Sequence, residues 1–273
     1  MLADYNDVFA DIVNVLLFNG KQIVDESLLE NVKDKSQYKA DDGKLHEEER
    51  DIAKVVKNQK VRLALIGLEH QTDVDADEPF RVIAYDGASY KSQLLSDRKE
   101  RYPVVTLVLY FGTKRWNKGT TLYEVFDVDE KWKPYINDYK INLFEIAFLT
   151  QEQIDMFKSD FKIVADYFVQ KRMNKDYRPS KDVIRHVDEV LKLMIVLTGD
   201  TRFQDAQSVS KEGSEVTMCE MLDRMISKGE VKGEKKLGLL ISALFAAGRV
   251  EDARLASEDE EKRKQLYCEM GII

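Results

Sequence analysis

The chain has 273 residues, with 44% hydrophobic and 34% charged side chains and a formal net charge of −8. That length and apolar fraction suit one large or two ordinary globular domains, and no run approaches the eighteen apolar residues of a membrane span. Residues 1–150 carry 27 acids and 21 bases and the remainder 23 and 21, so binding to nucleic acid through total charge alone is not expected. The N-terminal stretch lacks the basic start and cleavage site of a signal peptide. Cys219 and Cys268 stand in separate polar stretches without CxxC spacing and read as free thiols in a reducing cytoplasm.

In chain order, residues 5–18 (YNDVFADIVNVLLF) place Phe9, Ile12, Val13, Leu16 and Leu17 at helical spacing, with Asn19-Gly20 as a stop. Lys33 to Lys44 is polar, with Asp41-Asp42-Gly43 as a turn. Arg50 to Lys57 reads as a short strand with Asp51, Ala53 and Val55 on one face. Asn58-Gln59 then turns into Val61 to Leu68, an apolar, branched run suited to a strand buried on both faces. The two runs form an expected antiparallel hairpin with Asp51 and Glu69 near its open end. Asp73 to Glu78 is an acidic loop, and Pro79 opens a helix reaching Leu94, with Asp86-Gly87 as a soft spot. Residues 103–112 (PVVTLVLYFG) are a second buried strand, followed by a loop holding Trp116. Leu122–Phe126 and Ile141–Ala147 are shorter elements of either kind.

From Thr150 the texture becomes helical: Gln151–Lys158, Phe161–Met173, Lys181–Thr198, Val216–Ser227, Leu237–Ala247 and a charged helix over Glu258–Cys268. The Glu- and Lys-rich stretch Lys228–Lys236 reads as a hinge. The expected organisation is a mixed α/β domain over 1–150, a helical extension over 151–227, and a charged link with terminal helices over 228–273. The stripe Leu239, Leu240, Ala243, Leu244 and Ala247 must be buried somewhere, which points to a homo-oligomer through the C-terminal region.

Chemistry concentrates at the end of the central strand. A carboxylate there is costly to bury uncompensated, and alternation puts Glu69 and Gln71 on one side and His70 on the other. Asp51 and Glu69, with the backbone carbonyl of His70, make a set of hard oxygen donors of the kind Mg²⁺ takes. Gln71 could hold a water or a phosphate oxygen. His70 reads as a packed or edge histidine, Trp116 as a loop anchor, and His46 and His186 have no partners suited to a nucleophile set. Basic groups cluster at Lys54/Lys57/Lys60/Arg62, Arg98/Lys99/Arg101, Lys114/Arg115/Lys118 and from Lys171 to Arg185.

The ordered series Arg50-Asp51, Gly67-Leu68-Glu69-His70-Gln71-Thr72, Phe80-Arg81-Val82-Ile83-Ala84-Tyr85-Asp86-Gly87, Tyr102-Pro103-Val104-Val105 and Leu109-Tyr110-Phe111-Gly112, with Trp116, resembles the Rpn family. These are recombination-promoting nucleases, also described as transposase-like members of the PD-(D/E)XK superfamily. The resemblance runs from about Phe9 to Leu149. It implies a mixed α+β fold with a restriction-endonuclease-like core, its central sheet flanked by helices and followed by an α-helical C-terminal region. It also implies a DNA endonuclease dependent on Mg²⁺ or Mn²⁺, linked to recombination or mobile elements. Asp51 and Glu69 match the metal-binding acids, Gln71 stands where the wider superfamily has lysine, and Arg81 matches an arginine on the following helix. Asp11 stands where the superfamily often carries an acid on its first helix, and Tyr85 lies one turn beyond Arg81. Arg50 replaces the superfamily's proline, Ala84 stands where some relatives have a second arginine, and Glu78 adds an acid. DNA would meet Lys54, Lys57, Arg98, Lys99, Lys114 and Arg115. The alternative reading is a catalytically silent DNA- or protein-binding module on the same scaffold.

Overall fold

The structure is a computed structural model. It describes residues 2–32, 35–39, 45–49, 52–57, 61–68, 76–95, 101–174, 177, 181–200, 203 and 216–272. For 35–39, 45–49, 64–68, 216, 222, 224–226, 228 and 232 it describes the backbone alone.

A five-stranded mixed sheet forms the centre. Its strands are β1 (Leu29–Asn31), β4 (Ile52–Val56), β5 (Val61–Leu68), β6 (Val104–Tyr110) and β7 (Asn142–Glu145), in that spatial order. The expected hairpin is present: β4 and β5 are antiparallel, with Val56 opposite Val61 and Ile52 opposite Leu65. The pairs β5–β6 and β6–β7 are parallel. A separate hairpin, β2 (Lys35–Lys39) with β3 (Leu45–Glu49), pairs Lys39 with Leu45; the turn expected at Asp41-Asp42-Gly43 lies outside the described residues.

Each face of the sheet is covered differently. Ile52, Val56, Leu63, Leu107 and Leu109 face α1 (Asn6–Phe18) and α5 (Phe161–Arg172), joining Phe9, Ile12, Val13, Phe161, Val164 and Phe168 in the main core. The opposite face of β6 meets α2 (Glu78–Leu95) through a small apolar cluster of Val82, Val108 and Ile141, with Tyr85 packed against it. The buried stripe of α2 is otherwise polar: Asp86, Ser89 and Gln93 lie at 5, 0 and 5% exposure. Thr106 Oγ1 donates to Asp86 Oδ1 at 2.6 Å and the Tyr139 hydroxyl donates to Oδ2. Gln93 brackets Tyr102, its amide nitrogen donating to the Tyr102 carbonyl at 3.1 Å and its oxygen accepting from the Tyr102 N–H at 3.0 Å. The Tyr90 hydroxyl accepts from the Val104 N–H. This helix is therefore fixed by directional bonds, and it passes through Gly87 unbroken.

The short elements resolve as α3 (Leu122–Val125), closed by a Thr121/Glu124 capping box, and as β7. In the helical part, α4 (Gln151–Met156) and α5 follow the expectation, whereas α6 begins only at Val187 and ends at Thr198. The residues before it include β8 (Val183–Ile184), paired with β9 (Val216–Thr217). The expected hinge at 228–236 is not a break: α7 runs from Met218 to Ala246 as one helix, across the 227/228 boundary. The terminal charged stretch is two helices, α8 (Val250–Glu258) and α9 (Glu260–Glu269). Leu240 and Leu244 are buried against Ala253, Ala256 and Leu266 of these helices, so much of the apolar stripe is covered within the chain. Cys219 and Cys268 are free thiols, and no described helix is long and apolar enough to cross a membrane.

Candidate functional site at the end of the sheet

Register defines the end of the sheet that matters. The N-terminal end of β4 lies beside the C-terminal part of β5, and Leu68, Tyr110 and Glu145 are aligned at the ends of three parallel strands. The helix α2 returns antiparallel to β5: Gln93 bonds Tyr102 at the start of β6, Asp86 bonds Thr106 in its middle, and Val82 packs on Val108. The N-terminus of α2 therefore sits at the same end as Leu68 and Tyr110. Asp51, Glu69, His70 and Gln71 adjoin this end in sequence, but they lie outside the described residues, as do Arg98 and Lys99. Among the described residues no group of three or more His, Cys, Asp or Glu side chains could hold a metal.

Arg81 is in the first turns of α2, with a side chain 55% exposed and its guanidinium 4.0 Å from the buried Glu78 carboxylate. Glu78, an addition to the family pattern, is thus adjacent to Arg81. Tyr85 is half-buried in the Val82–Val108–Ile141 cluster, a packing role.

The loop after β6 is built by an acid that the sequence reading passed over. Glu145, at the end of β7, accepts from the Trp116 backbone N–H at 2.8 Å and pairs with Arg115 at 2.6 Å. The Arg115 guanidinium also lies over the Phe148 ring at 3.9 Å. Trp116 packs edge-on to Tyr110 at 5.3 Å, which makes it the loop anchor expected. Gly112 allows this: a Cβ there would come within 2.0 Å of the Tyr110 ring carbon and hydroxyl. Burial, and then the Glu145 charge, push the Tyr110 hydroxyl pKa up. The sequence left Ile141–Ala147 as strand or helix, so it did not mark Glu145 as the acid that ends β7.

Two expected functional residues serve the scaffold. Lys54 is a correction: it is 0% exposed, on the α1 face of β4 between Ile52 and Val56. Its ammonium donates to the Asp4 carbonyl, to Asn6 Oδ1 at 2.6 Å and to Asn31 Oδ1 at 2.7 Å, and it lies over the Phe9 ring at 5.5 Å. A cation so enclosed cannot reach a phosphate backbone. Burial lowers its pKa, with the Asp4 and Asp7 charges opposing. Asp11 is 6% exposed, and its Oδ2 accepts from the backbone N–H groups of Lys158 and Ser159 at 2.8 and 2.7 Å. It anchors the α4–α5 connection beside a cavity of about 470 Å³ lined by Asp7, Asn14, Lys158 and Arg185.

Of the remaining expected DNA contacts, Lys57 is exposed and pairs with Glu30 at 2.6 Å, Arg115 is held as described, and Lys114 is exposed on the loop. Arg62 is buried at 2% exposure, so two of the four cations in its sequence cluster are interior. His186 has neighbours after all: its Nε2 is 3.1 Å from Asp7, its ring stacks on Tyr5 at 3.8 Å, and its backbone N–H donates to Asp160 at 2.6 Å.

No curated protein and no solved structure matches the chain. A family model described as "Putative transposase, YhgA-like" matches residues 28–200, covering the sheet and helices α2 to α6 and leaving α1 and α7 to α9 outside. A match over more than half of the chain, on a mixed sheet with this strand order, shows that the chain belongs to that transposase-like family.

Proposed function

We propose that the protein is a DNA endonuclease dependent on Mg²⁺ or Mn²⁺, with its site at the end of the sheet where β4 begins and β5 ends. The observation that carries this reading is the family match over 28–200, joined to a register that pairs the start of β4, adjoining Asp51, with Leu65, three residues before the end of β5 that adjoins Glu69. The donor chemistry fits: two carboxylates and the carbonyl of His70 are hard oxygens suited to either cation. Such a cation, when bound, polarises the scissile phosphate and acidifies water. Gln71 orients the attacking water through its side-chain amide. Arg81, half-exposed at the start of α2, offsets charge on the phosphate, a task that falls to it because position 71 is not lysine. Lys114 and the α2 N-terminus flank the approach for DNA.

The test is cleavage of plasmid DNA with and without Mg²⁺ by wild-type protein and Asp51→Ala. Metal-dependent cleavage by the wild type that the variant loses supports the reading. A second reading, a silent module on the nuclease scaffold, is favoured by the interior placement of Lys54 and the pairing of Lys57 and Arg115 with acids. Inertness of the wild type across divalent metals and DNA forms would make it the better one.

A further inference from the structure

Helix α1 is buried on two faces of different character. Phe9, Ile12 and Val13 join the main core. At about 100° per residue, Asp7, Ala10, Asp11 and Asn14 fall on the opposite side, where they line the cavity of about 470 Å³. A buried polar face needs partners, and most of this one has them. The Asn14 side chain is spent: its amide donates to the Val24 carbonyl at 2.9 Å, and its oxygen accepts from the Ile23 and Val24 N–H groups at 3.0 and 2.8 Å. Asp11 is half spent, because the Lys158 and Ser159 N–H groups both donate to Oδ2. Its Oδ1 accepts from nothing among the described residues and is not sealed from solvent, so this oxygen of a residue only 6% exposed opens into the cavity. Asp160 fixes a further wall by accepting from the Arg185 and His186 N–H groups at 3.0 and 2.6 Å. The cavity is therefore preformed, as small-molecule sites usually are. At its mouth Glu26, Lys158 and Arg185 are exposed, and their side chains have no hydrogen-bond or ion-pair partner among the described residues.

We propose that this cavity binds a free basic amino acid, its α-ammonium on Asp11 Oδ1 and its carboxylate on Lys158 and Arg185. An ammonium has three donors and no acceptor, which suits a deep carboxylate oxygen without a partner. The two cations at the mouth offer charge-assisted bonds to a carboxylate. The lining acids Asp7, Asp11, Asp25 and Glu26 outnumber these two bases, so a ligand of net positive charge is favoured over a neutral one. Asp7 is engaged by His186 at 3.1 Å and Asp25 by the Ser27 N–H at 2.9 Å, which leaves Glu26 for the cation of the ligand's side chain. The volume lies within the roughly 300–1,000 Å³ of small-molecule sites. Only a free amino acid carries both α groups, so a residue inside a peptide does not satisfy the site. The cavity lies across α1 from the sheet, and the proposal is independent of the nuclease reading.

The experiment is a ligand-detected NMR titration of the full chain with L-lysine, L-arginine, putrescine and glutarate, each up to about 10 mM, which covers affinities down to the millimolar range. Both amino acids should bind. Putrescine lacks the carboxylate and glutarate the ammonium, and each should bind at least about tenfold more weakly, the loss expected for one hydrogen bond to a charged group. Lys158→Ala and Arg185→Ala alter exposed side chains and should keep the far-UV spectrum of the wild type. Each should weaken L-lysine by about tenfold or more and leave putrescine unchanged. Asp11→Asn retains an oxygen for the two N–H groups and should lose the amino acids. Absence of binding by both amino acids, putrescine or glutarate binding as well as L-lysine, or undiminished L-lysine binding by the Lys158 and Arg185 variants would overturn the proposal.

Discussion

Lys54→Met separates the structural role of this residue from its expected role at DNA. Methionine keeps the length and the apolar stem but removes the ammonium, leaving three oxygen acceptors, the Asp4 carbonyl, Asn6 Oδ1 and Asn31 Oδ1, without their donor. Asn6 cannot flip to compensate, because its amide nitrogen already donates to the carbonyls of Glu26 and Leu29 at 3.1 and 3.2 Å. An unsatisfied buried acceptor costs about 1–3 kcal/mol, and relief of the buried charge returns several kcal/mol. We expect a net loss of about 3 kcal/mol, which at roughly 2–4 °C per kcal/mol for a chain near this size lowers Tm by about 6–12 °C. The pH dependence carries a sign. The folded pKa lies below the ordinary 10.5, so between the two values the unfolded chain binds more protons and wild-type stability from this group rises with pH. In the variant that rise disappears. Thermal melts by circular dichroism measure both, and DNA binding across a salt series provides the contrast. Lys54→Met should leave the log–log salt slope unchanged, while Lys114→Ala, on the exposed loop, should reduce it by about one phosphate contact. If Lys54→Met melts with the wild type and instead weakens DNA binding, the buried placement is wrong.

Gly112→Ala forces a Cβ into a site where the Tyr110 ring lies 2.0 Å away. It should cost about 1–3 kcal/mol as overpacking, visible as a lower denaturation midpoint; an unchanged midpoint would mean that Tyr110 is free to move. Burial raises the Asp166 carboxyl pKa, outweighing the Gln170 hydrogen bond and the Lys162 charge. Its contribution is therefore greatest below pH 3.8 and lost as pH rises through the raised value; Asp166→Asn, which still accepts from Gln170, should raise Tm at pH 7 and flatten its fall above pH 4. Glu69→Ala should abolish both Mg²⁺ affinity and cleavage, and Glu69→Gln nearly so, because a neutral amide is a poor ligand for a hard cation. Gln71→Ala should retain metal binding and slow single-turnover cleavage by about 10²–10³-fold; undiminished cleavage by Glu69→Ala would show the site misassigned.

The elements that build the sheet's centre were legible as near-continuous apolar runs of the kind a central strand carries. Val61–Leu68 and Val104–Tyr110 are such runs, and Pro79 marks the start of α2 to within a residue. The edges were not: β1 is three residues long, and β2 and β3 are polar, so neither length nor period separates them from loop. The 228–236 stretch misled for another reason. Its charges read as a link, yet Lys and Glu are good helix formers, and they carry the helix across Gly229 and Gly233.

Charged residues were hardest to place, because a lysine in a site and a lysine in a scaffold look alike until their partners are known. For Lys54 the partners lie 50, 48 and 23 residues away, beyond any local pattern, although alternation between Ile52 and Val56 already set it on the core face. Glu145 shows the same thing from the opposite side. The sequence left its segment as strand or helix, and its hold on Arg115 and Trp116, 30 and 29 residues earlier, is what fixes the loop beside the proposed site. Strand alternation can say which way a charged side chain points. What it meets there is decided by the sheet order, and at this end of the sheet that order sets Glu145 beneath the loop and leaves Lys114 exposed for a polyanion to reach.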